Sequence, residues 1–380
     1  MGKTIVSLVS DQTIPNVMFI KANGDAERLV FITTEEMEKK QRTDWILKSV
    51  GIKIPPDKVE KIIVSEQSIS EIQRKLREYP FFDRNAEILV NLTGGNKIMS
   101  LAAYEFFKEK SLQNQNITKM YYLNLGGDKF DMVFPSEQKN CICSGHCNLK
   151  EYLTAYSIEE EKTEKLPIMK FEKTWEFYSK IFEPERNTIK IILKKINGNF
   201  DNYKKLPEQL SGNEKKDVFR LLKKVFGDFE FTKPKIKYLT GGWFEEYICF
   251  LIKRGLKLNN EQICLNLEIK DKSVSGKAAS NEIDVIFIHK NKINIIECKT
   301  GLKDISGKSI LGDVLYKQSA LRKSFGLTAK NFLFLPNVLS GNERQKERAE
   351  VYGIGIVDNR EMLLDEDRFR SEFLEKNKFA

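Results

Sequence analysis

No run of apolar residues in this 380-residue chain approaches the roughly 18 to 20 needed to cross a bilayer, so no membrane-spanning helix is expected. Lys3 ahead of an apolar run invites comparison with a signal peptide. Asp11 and Pro15 interrupt that run early, and its β-branched alternation reads as a first core strand, so a cytoplasmic protein with no membrane partner is expected. There is no internal repeat and no low-complexity tract. No long segment lacks apolar residues, which excludes global disorder. Neither a Walker A loop nor a dinucleotide-binding fingerprint occurs, so generic nucleotide chemistry is not indicated. The six cysteines are too unevenly placed for a disulfide framework. Cys249, Cys264 and Cys298 stand singly in apolar surroundings and read as reduced packing residues. Cys141, Cys143, His146 and Cys147 crowd into "CICSGHC", yet no second ligand pair follows at zinc spacing, and a turn of small residues is the first reading.

What is present is ample apolar material, 41% hydrophobic residues, with 31% charged and a net charge of +9. The length implies two domains. The positive balance permits polyanion partners, but the lysines are spread widely and a solvated surface accounts for most of them. Residues 3–9 read as a strand, followed by the polar loop "SDQTIPN" and an apolar stretch at 17–20. "TTEEMEKKQRTDWILKSVG" has helical spacing with a cap at its start and Gly51 at its end. "KIIVSEQ", "SISEIQRKLREYPF", "AEILVNLTGGNKIMSLAAYEFFKEK" and "KMYYLNLGGDKFDMVFP" continue the alternation of strand and helix. That alternation predicts a Rossmann-like α/β sheet over 1–155. Residues 156–232 read as a charged, helical connector with "EEEKTEK" as linker, and 233–380 as a second α/β domain.

The second domain contains "NEIDVIFIHKNKINIIECKT", two apolar runs about a Lys-Asn-Lys turn. Alternation puts Ile293, Ile295, Glu297 and Lys299 on one face of the second run and Asn294, Ile296 and Cys298 on the other. Both faces are apolar until the strand's end, which predicts a central strand covered on both sides. Ending such a strand with charges costs desolvation unless a partner offsets it. The charges are either an ordinary solvated pair or a site. A divalent cation held by Asp284 and Glu297 would offset the cost, and Lys299 would then neutralise charge on a phosphoryl transition state.

Asp284, followed by apolar residues and then Glu297-Cys298-Lys299, resembles the PD-(D/E)xK nuclease motif. "GGWFEEY" resembles the Gly-x-x-x-Glu segment of the helix before that motif, with Glu245 fitting better than Glu246. "LYKQSALRKSFGL" places Lys317 and Gln318 on the helix that follows it; exposed helix charge is the alternative reading there. In the first domain, "TGGNK" sits between a buried strand and a helix, where backbone amides attract phosphate; a tight turn capped by Thr or Asn is the alternative. With "SDQTIPN" after the first strand, this domain looks like a CARF domain. The two halves together resemble the CRISPR-associated effector nucleases that join a CARF sensor to a PD-(D/E)xK domain, the Card1 and Can group. The resemblance runs nearly end to end, "EYLTAYSI" suiting the domain junction and "CICSGHC" standing outside the family pattern.

The resemblance implies an α/β chain with a Rossmann-like CARF domain, a helical connector and a C-terminal restriction-endonuclease-like α/β/α domain. It implies a homodimer that encloses one cyclic tetra-adenylate on its two-fold axis. Ser10, Asp11, Gln12, Thr13, Asn16, Thr93, Gly94, Gly95, Asn96 and Lys97 would line that ring. Glu245, Asp284, Glu297, Lys299 and Lys317 would be catalytic, with Mn²⁺ or Mg²⁺ on Glu245, Asp284, Glu297 and the Cys298 carbonyl. Single-stranded DNA or RNA and nicked duplex DNA would be the substrates. Two other readings remain: a ligand-gated transcriptional regulator whose helical middle region binds DNA, and an enzyme that degrades the messenger within the first domain.

Overall fold

The structure, a computed structural model, describes the chain apart from residues 1, 52–53, 84–85, 114–116, 137–140, 144, 163–166, 198, 273–279, 303–308, 340–342 and 380. Its strands form two sheets. The first carries β1 (Gly2–Leu8), β2 (Arg28–Thr33), β3 (Val59–Ile63), β4 (Ala86–Asn91), β5 (Thr118–Leu123), β6 (Lys129–Phe134) and β7 (Cys141–Cys143). Their order is β3-β2-β1-β4-β5-β6-β7, parallel from β3 to β5 and antiparallel beyond. Helices α1 (Ile14–Ala22), α2 (Glu35–Lys39), α3 (Arg42–Val50), α4 (Ile69–Arg77) and α5 (Lys97–Gln113) make the crossovers, and α6 (Leu149–Ala155) closes the domain. The predicted helix over 34–50 breaks into α2 and α3, because Gln41 adopts a left-handed φ of 54°. The order of strands reverses between β1 and β4, and ligands of open α/β sheets bind outside the carboxyl ends of strands at such a switch point.

The second sheet has the order β13-β12-β11-β10-β9-β8, with β9 (Ile263–Asp271), β10 (Asn281–His289), β11 (Lys292–Cys298), β12 (Lys330–Phe334) and β13 (Ile354–Val357). Strand β11 is central and buried along Ile293–Cys298, as its two-sided apolar pattern requires. The edge strand β8 (Ile158–Lys162) corrects the connector expected over 156–232. The predicted linker lies partly on this strand, which pairs antiparallel with β9, and otherwise on residues outside the described ones. Its charged residues are those of an exposed edge, Glu159 pairing with Lys48 and Lys272.

The middle region continues as α7 (Phe171–Glu176), α8 (Arg186–Ile196), α9 (Leu206–Gln209), α10 (Gly212–Phe226) and α11 (Lys233–Lys237). These helices do not stand apart either. Tyr178, Ile192, Leu206, Leu221 and Ile236 lie in one apolar cluster with Trp243, Tyr247 and Ile248 of α12 (Trp243–Gly255) and with Val285 and Ile296 of the sheet. Amphipathic stripes that read as a separate helical layer are thus buried against the second domain. Helix α13 (Leu311–Lys323) covers the opposite face of the sheet, giving three layers. No described helix is long and apolar enough to cross a membrane.

A second cluster joins the two domains. It holds Ile14, Tyr152 and Tyr156 from the first with Ile283, Ile293, Leu321 and Phe325 from the second. The "CICSGHC" segment serves the same junction. Asn291, in the β10–β11 turn, accepts from the Cys147 backbone N–H at 2.9 Å and donates to the Gly145 carbonyl at 3.1 Å. Cys147 is buried, its thiol pushed up to about 12 mainly by desolvation, whereas Cys141 is exposed. The two thiols thus have opposite environments; the Cys143 side chain and Ser144 lie outside the described residues. Replacing Asn291 with Ala strips the buried Cys147 N–H of its acceptor and is expected to cost about 1–3 kcal/mol, checked by urea unfolding.

Candidate functional site

Strands β10 and β11 deliver two carboxylates and an ammonium to one place. Asp284 and Glu297 are 8% and 4% exposed, in a protein where such groups are rarely buried without partners. The Cys298 backbone N–H donates to Asp284 Oδ2 at 2.7 Å. Lys299 Nζ lies 2.5 Å from Glu297 Oε1, 3.5 Å from Asp284 Oδ2 and 3.2 Å from the Cys298 carbonyl oxygen. Gln318 of α13 donates from Nε2 to Glu297 Oε2 at 2.8 Å, and Asn331 Nδ2 fixes that amide by donating to Gln318 Oε1 at 3.1 Å. Asp284 reaches this position because side-chain alternation slips on both neighbouring strands. Leu265 and Val285 belong to the cluster on the α12 side, whereas Leu267 and Ile283 belong to the opposite cluster. Between them Asn266 takes a left-handed φ of 52°.

Helix α12 brings the third carboxylate. Asn266 stands beside the Glu245 carboxyl and favours its charged form, while Glu245 Oε2 is fully buried without a hydrogen-bond partner. Glu246, one residue on, points elsewhere and accepts the backbone N–H groups of Ile168 and Met169 at 2.8 and 3.2 Å. Burial lifts its carboxyl to about 7, with those N–H groups opposing the rise. The two residues therefore divide into a site residue and a structural one. Lys317 does not join the group: it is exposed on α13, and the buried neighbour Gln318 makes the contact instead. Residues one apart on a helix point in directions about 100° apart, so only one of this pair can face the carboxylates.

Asp284, Glu245 and Lys299 open onto a cavity of about 430 Å³ lined also by Phe200, Lys233, Lys237, Gly241, Glu282 and Thr300. Its electrostatics follow from too much buried negative charge. Desolvation, then Glu297 and Glu245, raise the Asp284 carboxyl to about 8, against the pull of Lys299. Burial likewise raises Glu245, opposed by Lys237 and Lys299. Burial disfavours the Lys299 ammonium, but Asp284 and Glu297 outweigh it and hold the lysine charged. Lys237, ion-paired to Glu282 at 3.2 Å, is held charged in the same way by Glu245, Glu282 and Asp284. Lys237, Asn266 and Glu282 escaped the sequence reading; a charged residue two before Asp284 on the same strand was the available signal for Glu282.

These donors suit a hard divalent cation in chemistry: carboxylate and carbonyl oxygens, one orphaned buried oxygen, and net negative charge. Among the described residues no three acidic, thiol or imidazole groups are gathered tightly enough to be a ready-made ligand set. The ammonium of Lys299 stands between Asp284 and Glu297 and balances them instead.

At the switch point of the first sheet, the two loops singled out by sequence meet. Gly94 packs so closely that a Cβ there would collide with the Leu8 carbonyl oxygen. Gly95 adopts a left-handed φ of 70°, and Asn96 caps α5 by accepting the Met99 N–H at 2.9 Å. Thr93 accepts the Leu123 N–H, and Lys97 is exposed at the start of α5. Ser10 accepts the Gln12 N–H at 3.2 Å, and Asp11 is ion-paired to Lys40 and Arg42. Two neighbours serve the scaffold. Thr13 and Asn16 are fully buried, donating to the Ala155 carbonyl and to Ser7 Oγ and the Leu8 carbonyl. Gln12 points across the domain junction, where its Oε1 accepts the Leu327 N–H at 3.0 Å.

Residues 4–152 match the Card1 CARF domain and residues 232–368 the Card1-like endonuclease domain. The fold is similar to that of Can2 from Sulfobacillus thermosulfidooxidans in complex with cyclic tetra-adenylate, with TM-score 0.72 and 23% identity over 96% of this chain and 98% of that one. It is similar to protein VC1899 from Vibrio cholerae, with TM-score 0.74 and 18% identity over 100% and 99% of the two chains. A type III CRISPR defence DNA nuclease activated by cyclic oligoadenylate gives TM-score 0.56 and 15% identity over 100% of this chain and 52% of that one. No curated protein matches the chain.

The raised Asp284 carboxyl has a consequence for folding. Between its ordinary value of 3.8 and about 8, the folded chain holds this proton more tightly than the unfolded one. Its contribution therefore falls as pH rises through that window and is fully unfavourable above it. In chelator-treated protein, Asp284→Asn is expected to flatten the decline in urea-unfolding stability from pH 5 to 8; an unchanged slope contradicts the assignment.

Proposed function

We propose that this chain, a CRISPR-associated CARF-domain nuclease of the Card1 kind, is a metal-dependent endonuclease switched on by cyclic tetra-adenylate. The observation that carries the reading is the convergence of Asp284, Glu297, Glu245 and Lys299 at one buried corner, with Asp284, Glu245 and Lys299 lining a cavity beside it. A structural ion pair needs no third carboxylate with an orphaned oxygen.

Glu245, Asp284, Glu297 and the Cys298 carbonyl would hold Mg²⁺ or Mn²⁺. A cation there supplies Lewis acidity toward a phosphate oxygen. The chain's own residues do the rest. Gln318 and the Cys298 N–H fix the orientation of Glu297 and Asp284, so that the carboxylates need no reorganisation when substrate arrives. The ammonium of Lys299, kept charged by its acidic neighbours, is placed to neutralise charge developing on the scissile phosphate. Lys233 and Lys237 on the cavity wall suit the flanking phosphates. Single-stranded DNA or RNA and duplex DNA that becomes nicked are the proposed substrates, in the cytoplasm, where such a defence operates.

The sensor half of the reading rests on the Gly94-Gly95 turn at the start of the 17-residue helix α5, a helix N-terminus whose backbone N–H groups suit a phosphate. Ser10, Asp11, Thr93, Asn96 and Lys97 surround the same switch point, and a two-fold dimer would let two such loops share one cyclic ligand. The Can2 complex with cyclic tetra-adenylate supports that ligand for this chain. The regulator reading is disfavoured by the helices of the middle region, whose apolar faces are buried against the nuclease sheet and α12.

Cleavage of single-stranded nucleic acid is expected only with Mn²⁺ or Mg²⁺ together with cyclic tetra-adenylate. Glu297→Ala and Lys299→Ala should each lower the rate by about 10²-fold or more; variants that cut normally refute the site. Lys97→Ala should weaken cyclic tetra-adenylate binding about tenfold in calorimetry without altering the metal requirement, since one charge-assisted contact is lost.

A further inference from the structure

Two hydrogen bonds between sensor and nuclease end on one turn, residues 324–327, at the carboxyl end of α13. The Tyr152 hydroxyl, buried, donates to the Phe325 carbonyl at 2.9 Å. The Leu327 N–H donates to Gln12 Oε1 at 3.0 Å, and the Tyr156 hydroxyl donates to the same oxygen at 3.3 Å. Between them Gly326 adopts a left-handed φ of 82°, and a Cβ there would collide with the Tyr156 hydroxyl and stand 3.0 Å from Gln12 Oε1. Leu321 and Phe325 are buried in the same cluster as Ile14, Tyr152 and Tyr156, so this end of the helix is packed on the sensor.

The same helix touches the catalytic corner. Gln318 is fully buried, donates to Glu297, and is held by Asn331 through both its side-chain oxygen and its own backbone carbonyl, at 3.1 and 2.7 Å. Phe325 follows Gln318 by about two helical turns, roughly 10 Å. Gln12 sits beside Asp11 in the loop after β1, and a polar cavity of about 320 Å³, lined by Asp11, Gln12, Arg42, Lys323 and Gly326, adjoins the contact. There is therefore room for the loop to shift, while the buried face of α13, from Leu311 to Leu321, is held by close packing.

We propose that Tyr152, Tyr156 and Gly326 are positioning residues for the nuclease reaction: they clamp the end of α13 to the sensor loop, so that ligand-driven movement of residues 10–13 reaches Glu297 through Gln318. The inference rests on the proposed function. Its physical content is one rigid element fastened at both ends, by packing and the 324–327 turn at the sensor and by the Gln318 amide at the carboxylate. A shift of about 1 Å at the carboxylate is enough to change turnover strongly.

The test uses the full chain, cyclic tetra-adenylate, Mn²⁺ and a single-stranded DNA substrate. Stimulation of the unaltered chain by the messenger is measured first; its absence overturns the functional reading and this inference with it. Given stimulation, Tyr152→Phe/Tyr156→Phe and Gly326→Ala are compared with the unaltered chain. The expected result is a fall of about tenfold or more in messenger-stimulated kcat, with KM for DNA and the affinity and stoichiometry of messenger binding kept within about twofold. A merely structural defect would lower the stoichiometry of binding along with the rate. Full stimulation in both variants overturns the proposal, as does loss of stimulation in step with loss of messenger affinity. If Gly326→Ala or the double variant fails to fold, Tyr156→Phe alone, which removes a single hydroxyl, is judged by the same two criteria.

Discussion

The constraint on which this molecule turns is the burial of negative charge at the ends of β10 and β11. Asp284 and Glu297 are nearly inaccessible, Glu245 adds a third carboxyl with an unpartnered oxygen, and Lys299 is the ammonium placed directly among them. Such an arrangement is costly unless each group is held, and the surrounding architecture supplies the holding. A backbone N–H meets Asp284, an amide from α13 meets Glu297, and Asn266, in a conformation that breaks its strand's alternation, meets Glu245. Burial first, and the crowding of carboxylates around one lysine second, raise the Asp284 carboxyl; burial raises that of Glu245 as well.

The second organising fact is that the two sheets are not independent bodies. A single apolar cluster runs from α1 and α6 of the CARF domain to β10, β11 and the end of α13 in the endonuclease domain, and the Gly145–Cys147 segment locks onto the β10–β11 turn. The β10–β11 hairpin therefore touches the CARF domain at its turn and carries its carboxylates toward the far end. A continuous packed route joins the two halves, and the polar contacts of Gln12 and Tyr152 lie along it.

Much of this was legible in the residues. The two-sided apolar pattern of 293–298 announces a central strand, and the helices around "TGGNK", "GGWFEEY" and "LYKQSALRKSFG" follow from caps and periodicity. The domain boundary was less legible. The charged stretch after residue 156 has the composition of a linker, yet its first residues pair with β9, because an edge strand needs charge on its free side as much as a linker does. The loop after β1 shows the same limit. Its polar residues look alike in sequence, but Thr13 and Asn16 turn inward to satisfy buried backbone groups while Gln12 turns to the other domain. Likewise nothing in the order Lys317-Gln318 says which of the two faces the carboxylates.

By itself the sequence determined the local periodicities, the caps and the chemical types brought to each strand end, because these depend on neighbours within a few residues. It could place a carboxylate near the end of a buried strand and show that it needed a partner. Only the tertiary structure decided which partners meet it. The slip at Asn266 and Asp284, the use of Glu246 to hold the backbone at Ile168 and Met169, and the reach of Gln318 all depend on how helices far apart in sequence dock on one sheet. Docking is set by packing over the whole apolar surface, and a rotation of one residue along a helix, about 100°, exchanges a site residue for a solvent-facing one.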